Sequence, residues 1–408
     1  MSPLRPDDLA DADVVHLTFR PPYAAGSYPS LVQALLRHDG PVRQVAVSAA
    51  TGPPPRPGQD DATLLLGAGG TGAVTGAALR LPERARRLAF EGMGSRERIR
   101  YAVEVADLLA EHQPAVVVVW DDYKLPPFLR RHADLRCALV LSQHGRSYHL
   151  SPERARSLYE LSALDAVITL TRASYRADRA DLYAYEPLVL VRPNAVDTGR
   201  FAPVGARARA DARDRFGLGE ADRVVLTLAR LAPSKGAHLL VHSWPAVLAA
   251  HPSAVLWLVG DGDPAYRARL EQTAARLGVG DRVRLQGPVA PDDVAACHAA
   301  ADVYALPTVQ DEGHPLSLLE ALASGLPCVA SDAPVVRELH GDVVSLVPDP
   351  NVQDAFVAPL VALLGDEEAR ADLARRGRAQ AEAHHDLDDY LDEVSGFLAR
   401  LAETRAGR

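Results

Sequence analysis

Asp302-Val-Tyr-Ala-Leu-Pro-Thr-Val-Gln-Asp-Glu-Gly-His-Pro-Leu-Ser-Leu-Leu-Glu-Ala-Leu-Ala-Ser-Gly-Leu-Pro-Cys-Val-Ala-Ser331 reads as strand, loop, helix and strand. The apolar runs Asp302 to Leu306 and Cys328 to Ser331 have strand composition, Pro315 suits the first position of a helix, and Gly325 followed by Pro327 suits its stop. The spacing predicts a helix from Leu316 to Ser324, about two and a half turns. A unit of this kind holds its ligand at the carboxyl end of the first strand, where open α/β sheets bind.

The same rhythm runs outward from this stretch. Val224 to Leu228 precedes a helical pattern at Ala237 to Ala249. Val255 to Val259 precedes Pro264 to Leu277, and Val283 to Gln286 precedes Asp292 to Ala300. Such alternation means a parallel, doubly wound sheet. The first half repeats it more loosely, with strands near Val14 to Phe19, Arg43 to Val47, Ala115 to Val119, Cys137 to Ser142, Ala166 to Thr169 and Leu188 to Val191. The fold expected is α/β, with two doubly wound Rossmann-like domains facing each other across a cleft. The turn-rich segment Arg192 to Val204 joins them, with the boundary at Pro203, so the domains are 1–203 and 204–385. Beyond them 386–408 forms a terminal helix whose apolar Leu387, Tyr390, Leu391, Val394, Leu398 and Leu401 fall at helical spacing, and it is expected to cross back onto the first domain.

A chain of 408 residues with 48% apolar residues is long enough for two sizeable cores. Its 44 basic and 53 acidic residues leave a net charge of -9, which argues against nucleic acid or an anionic membrane as the main partner. Cys137, Cys297 and Cys328 lie far apart without metal-ligand spacing and read as buried, reduced thiols. No run of eighteen apolar residues occurs and Met1 to Asp13 has no apolar signal core, so a cytoplasmic location is expected.

The chemistry collects at predicted strand ends. At the start of the helix after Pro315 the amides of Leu316, Ser317 and Leu318 are expected to be free, and the positive end of the helix dipole there favours a phosphate. Glu320 lies four residues beyond Leu316 on the same face, roughly 6 Å further along, about the step from a diphosphate to a ribose. Glu312, in the preceding loop, falls on the opposite side of the phosphate, where a sugar would project. Each glutamate alone would read as a solvated cap or dipole partner; the pair around one helix start at a strand end is what points to a ligand. Only Lys124 and Lys235 among the 44 cations are lysines. Arg230 and Lys235 share a loop after the strand ending at Leu228, placed to neutralise a departing diphosphate without a metal. His144 follows another strand, and Gly26 lies in the loop after the first, where backbone can approach a ligand closely. By itself such a histidine is more often a satisfied structural residue, and the glycine equally suits a plain strand-to-helix turn.

Arg230 with Lys235-Gly236, Gly260-Asp-Gly262, Glu312-Gly313 through Glu320-Ala321, and Asn194 through Pro203 together resemble family 4 of the retaining glycosyltransferases, which have the GT-B fold. The resemblance spans nearly the full length. It implies an N-terminal acceptor-binding domain and a C-terminal nucleotide-sugar-binding domain. In the latter, Glu312 contacts the donor sugar, Glu320 holds the ribose hydroxyls, and Arg230 and Lys235 bind the diphosphate. It further implies roles for Gly313, Leu316 and Ser317 around the donor, for His144 beside the donor sugar, for Gly26 in the N-terminal loop, and for Gln286-Gly-Pro-Val289 against the base. Family usage makes a uridine diphosphate hexose the first donor to expect, and the absence of an evident basic amphipathic helix favours a hydroxyl of a soluble small molecule over a lipid as the acceptor. No cofactor and no metal are called for. Ala195 and Asp332-Ala-Pro-Val-Val336 depart from the family's glycines at these positions.

Four other readings compete. Gly67-Ala-Gly-Gly-Thr-Gly72 with Glu91 is a formal dinucleotide fingerprint and would suit an NAD(P)-dependent oxidoreductase. Pro82 and the run Pro53 to Pro57 instead give that region the look of an irregular loop. A glycoside hydrolase would need its carboxylates about 5 Å apart across one bond, which does not suit Glu312 and Glu320 at opposite ends of a ligand. A non-enzymatic sugar-binding protein of two doubly wound domains is the third, disfavoured by the missing secretion signal, and a sugar-nucleotide epimerase on the same fold is the fourth.

Overall fold

A computed structural model of the chain describes residues 5–19, 27–49, 62–66, 96–122, 124–133, 135–144, 162–172, 188–310 and 313–406. The chain divides into two compact units, Met1–Asn194 with Asp388–Arg408, and Ala195–Leu387.

The first unit contains β1 (Val14–Thr18), α1 (Ser27–Arg37), β2 (Gln44–Ala49), β3 (Thr63–Leu66), α2 (Arg96–His112), β4 (Val116–Trp120), α3 (Leu125–His132), β5 (Ala138–Gln143), β6 (Ala166–Thr169) and β7 (Leu188–Val191). Its strands pair in the order β3-β2-β1-β4-β5-β6-β7, every pair parallel. Runs such as Val116-Val-Val-Val-Trp120 are buried throughout, as a sheet covered on both faces requires. The strand β3 corrects the reading of this region as irregular: Thr63–Leu66 pairs in register with Ala46–Ala49 of β2. A four-residue strand between a proline-rich and a glycine-rich segment has too short a pattern to stand out.

The second unit contains β8 (Arg223–Leu228), β9 (Ala254–Val259), β10 (Val283–Gly287), β11 (Val303–Leu306), β12 (Cys328–Ser331) and β13 (Ser345–Val347) in the order β10-β9-β8-β11-β12-β13, again all parallel. Its helices are α4 (Ala206–Phe216), α5 (Ala237–Ala250), α6 (Pro264–Arg276), α7 (Val294–Ala300), α8 (Leu316–Ala323), α9 (Pro334–His340), α10 (Val357–Gly365) and α11 (Glu367–His384). At the amino edge of this sheet Asp302 accepts from Arg213 at 2.7 Å, from Arg209 at 2.8 Å and from the Val224 amide at 2.7 Å. This multiply bonded carboxylate pins α4 to β8 and β11 at the end of the sheet away from the candidate site, and its bonds compensate the desolvation of a buried charge pair.

The division falls at Asn194 and Ala195 and not at Pro203. Phe201 is buried in the second unit's core, and the Val196 amide donates to His385 O at 2.9 Å, so the residues before Pro203 pack with the second unit. The terminal helix α12 (Leu387–Ala406) counts with the first unit from Asp388 onward. Its Tyr390, Leu391, Val394, Leu398 and Leu401 are buried, and its Ser395 accepts from Gln44 of β2 at 3.1 Å. Among the described residues no helix is long and apolar enough to cross a membrane.

Candidate active site

In the second unit the strand order reverses between β8 and β11, and a ligand of an open α/β sheet binds at the carboxyl end of such a switch point. The loops after these strands carry Arg230, Lys235, Gly313, Leu316, Ser317 and Glu320. They are stitched together by backbone: Val309 N donates to Ser234 O at 3.0 Å, and the Thr308 hydroxyl to the same oxygen at 3.2 Å. Glycine makes the approach possible. A Cβ on Gly236, whose φ is +73°, would stand 1.7 Å from the carbonyl oxygen of Pro307. A Cβ on Gly260, with φ +144°, would stand 2.0 Å from Ala229 O, and one on Gly262 equally close to Leu231 O. The glycines that mark this region in the sequence therefore serve contact between adjacent loops.

The cations sit on this floor. Arg230 is exposed just beyond β8, and Lys235, half buried, closes the short 3-10 turn Pro233–Lys235 that leads into α5. Val289 lies past the end of β10, packed against the core beside Gly287, whose carbonyl accepts the Gly260 amide at 2.9 Å. The strand order thus brings the ends of β10, β9, β8 and β11 side by side, with Val289, Gly260–Gly262, Arg230 with Lys235, and Gly313 in succession.

Helix α8 opens with Pro315 at its N-cap. Of the three amides expected to be free, that of Leu318 is taken: it and the Leu319 amide donate to Pro315 O, at 3.2 and 3.3 Å. A proline N-cap turns its carbonyl into the helix, and the first turn tightens around it. The amides of Leu316 and Ser317 have no acceptor among the described residues. The Ser317 hydroxyl oxygen accepts from Tyr304 OH of β11 at 2.7 Å, the phenol lying 3.4 Å from Leu228 O. The predicted stop is present: Gly325 follows the last turn and the Leu326 amide returns to Ala321 O at 3.0 Å. Arg378 of α11 adds charge to that end, donating to Ala323 O at 2.6 Å.

Glu320 projects from this helix with its side chain 19% exposed, 3.6 Å from Nε2 of His298 on α7. His298 is fully buried between Phe201 and Tyr304, and among the described residues neither ring nitrogen has a hydrogen-bond partner. Orientation of Glu320 by His298 is a feature that sequence reasoning missed, because a histidine in an apolar seven-residue helix carries no motif. Tyr304 was signalled weakly, since a tyrosine inside a buried strand needs a partner for its hydroxyl.

His144 lies in the first unit, just past β5, and is buried. Nδ1 donates to Asn194 Oδ1 at 2.6 Å, so Nε2 is the acceptor for the Ser142 hydroxyl at 2.8 Å, and the ring stacks on Trp120 at 4.7 Å between centroids. Its amide donates to Asp121, which holds a left-handed φ of 53° at the end of β4. Burial pulls the His144 pKa down against the opposing pull of Asp121 and the bond to Asn194, so the ring is neutral. Behind it, Trp120 Nε1 donates to His16 Nδ1 at 3.0 Å, His16 Nε2 to Gln44 at 2.8 Å, and Gln44 in turn to Ser395 at 3.1 Å. None of this relay was visible in the sequence, because its members come from six separate segments.

Glu312, Gly26, Gly67–Gly72 and Glu91 lie outside the described residues. The position of β3 still bears on the dinucleotide reading. It is an edge strand, two places from the switch point between β1 and β4, whereas a dinucleotide fingerprint belongs to the turn after the central first strand. The three cysteines are buried and unpaired by disulfide, and burial pushes the Cys297 thiol up to about 12, so it holds its proton at neutral pH.

Residues 208–380 match the family model of glycosyl transferases group 1. Over 316 residues, 74% of this chain and 78% of the relative, the chain is 32% identical to a GDP-mannose-dependent alpha-(1-6)-phosphatidylinositol monomannoside mannosyltransferase of Mycolicibacterium smegmatis. It is 35% identical over 246 residues to a D-inositol 3-phosphate glycosyltransferase of Salinispora tropica, covering 55% of this chain and 51% of that one. An Anabaena protein crystallised with UDP and glucose superposes with a TM-score of 0.70 at 20% identity, over 95% of this chain and 99% of that one. The chain belongs to the glycosyl transferases group 1, the retaining family 4 of GT-B fold, and is a glycosyltransferase.

Proposed function

We propose that the chain transfers a hexose, with retention, from a nucleoside diphosphate sugar to a hydroxyl of a phosphoinositol-bearing acceptor. The observation that carries the donor half is the position of Glu320: it stands on the helix that opens at the carboxyl end of β11, beside the loop bearing Arg230 and Lys235. In this reading the amides of Leu316 and Ser317 and the two cations take the diphosphate. The negative charge that builds as the anomeric carbon to oxygen bond breaks falls on these donors, and no metal is required. Glu320 accepts from the ribose hydroxyls, Gly313 lets the loop approach the donor, Val289 meets the base, and Glu312 and Gly26 keep the roles the resemblance gives them. His144 keeps the role the resemblance gives it, and its Nε2 takes a new hydrogen bond only by releasing the Ser142 hydroxyl it now accepts.

For the finer assignments the relatives supply support. The M. smegmatis relative is named for GDP-mannose, which moves GDP-mannose ahead of a uridine diphosphate hexose as the donor to test. That name and the name of the S. tropica relative share an inositol carrying a phosphate, which favours this group as the acceptor over an unrelated small molecule. The test is to incubate the purified chain with GDP-mannose or UDP-glucose and either soluble inositol phosphate or vesicles containing phosphatidylinositol monomannoside, with product mass as the readout. One hexose added to either acceptor from GDP-mannose supports the proposal. Hydrolysis without transfer, epimerised donor, or saturable NADH binding with no diphosphate binding overturns it.

A further inference from the structure

Three buried histidines converge in the second unit. His314 precedes Pro315 at the mouth of α8, His340 ends α9, and His385 caps α11. They are 2%, 0% and 3% exposed, their ring centroids lie 5.0, 5.0 and 5.1 Å apart, and one ligand atom from each falls within 4.8 Å of the others. We propose that His314, His340 and His385 form a three-imidazole site for a divalent transition metal, with zinc as the ion it fits best, that clips the start of α8 to the ends of α9 and α11.

The tautomer of the central ligand is already set. Gln380 Nε2 donates to Leu339 O at 2.8 Å, which turns Gln380 Oε1 toward His340 Nδ1 at 2.7 Å. Nδ1 of His340 therefore carries the proton, and its Nε2 lone pair points into the cluster. An outer partner holding the far nitrogen of a ligating histidine is a regular feature of metal sites. His314 Nε2 lies 2.8 Å from His340 Nε2 and without a metal must donate its proton there. Metal binding moves that proton to Nδ1 of His314, so three neutral imidazoles each offer one lone pair and no net charge beyond that of the ion is added. With zinc to nitrogen bonds of about 2.0–2.1 Å, tetrahedral geometry separates ligand nitrogens by about 3.3 Å, so the His314 to His340 distance opens by about half an ångström. Three imidazoles and one open position suit zinc, with cobalt and nickel as substitutes.

The clip has a structural consequence, because the His385 carbonyl accepts the Val196 amide at 2.9 Å and Leu387 N donates to Val196 O at 3.1 Å. A metal at the cluster would thus fasten the chain crossing at Val196, Asp386 and Leu387 to the loop that opens α8. The test uses the full chain, stripped by a strong chelator in mild denaturant and refolded with or without zinc or cobalt. The proposal expects about one zinc per chain after gel filtration, the visible absorption of four-coordinate cobalt, and a thermal midpoint several degrees higher with metal. In His385→Asn and His340→Gln the bound metal and the midpoint shift should both be lost, with the circular dichroism of a folded chain retained. Refolded wild type holding less than about a tenth of an equivalent of zinc, with no cobalt spectrum, overturns the site. So does undiminished metal in both variants.

Discussion

The carboxyl ends of the two sheets are built from different materials. In the second unit the crevice is backbone laid on backbone: Gly236 against Pro307, Gly260 against Ala229, and a helix mouth with the amides of Leu316 and Ser317. In the first unit the corresponding ground around His144 is side chain on side chain, a buried relay from Asn194 through His144, Trp120, His16 and Gln44 to Ser395. The first kind of site tolerates no added atom, and the second tolerates no unpaired polar group.

The largest effect should come from breaking the backbone contact. Gly236→Ala places a carbon where the Pro307 carbonyl stands and forces a left-handed backbone on an L-residue. A loss on the order of 3 kcal/mol or more in denaturant unfolding, with nucleoside diphosphate binding abolished, is expected.

Acid should break the relay by a comparable amount. Burial holds His16 down to about 4, with the bond to Gln44 opposing. Because the folded pKa is below the unfolded value of about 6.5, the unfolded chain binds the extra proton. The contribution of His16 is whole above about pH 6.5, is lost as pH falls toward 4, and amounts to roughly 3 kcal/mol. Unfolding titrations at a series of pH values check it, and Gln44→Leu, which removes the opposing bond, should lower the folded pKa further and extend the acid loss to lower pH. A flat profile between pH 7 and 4.5 would contradict the relay.

Legibility followed the same division. The limits of β11 and β12, the stop at Gly325 and the loop cations could be read because proline, glycine and lysine mark backbone events at fixed offsets. The purpose of Gly260 and Gly262 could not, because contact with a neighbouring loop depends on the strand order. His298 beneath Glu320, Asn194 beside His144, and the His314, His340 and His385 cluster were out of reach for a stronger reason. Each is a meeting of segments distant in sequence, and none of the residue types involved is unusual at its own position. The boundary expected at Pro203 missed for a related cause: a turn-rich segment marks a junction, but the burial of Phe201 decides which side it joins.

A smaller effect sharpens the comparison from within the second unit. Tyr304→Phe removes the phenol that fixes Ser317, with little change in packing. Stability should fall by about 1 kcal/mol. Diphosphate affinity should weaken modestly, because the helix mouth keeps its amides and loses only the orientation of one hydroxyl.

The central claim is that α8 and the loop after β8 hold a nucleoside diphosphate, with Glu320 on the nucleoside side. Calorimetric titration of wild type and Glu320→Ala with GDP, UDP and inorganic pyrophosphate tests it most directly. The account predicts at least about a tenfold loss of nucleoside diphosphate affinity in the variant, as for a charge-assisted hydrogen bond removed, with pyrophosphate binding unchanged. Equal nucleoside diphosphate affinity in the two proteins would contradict it.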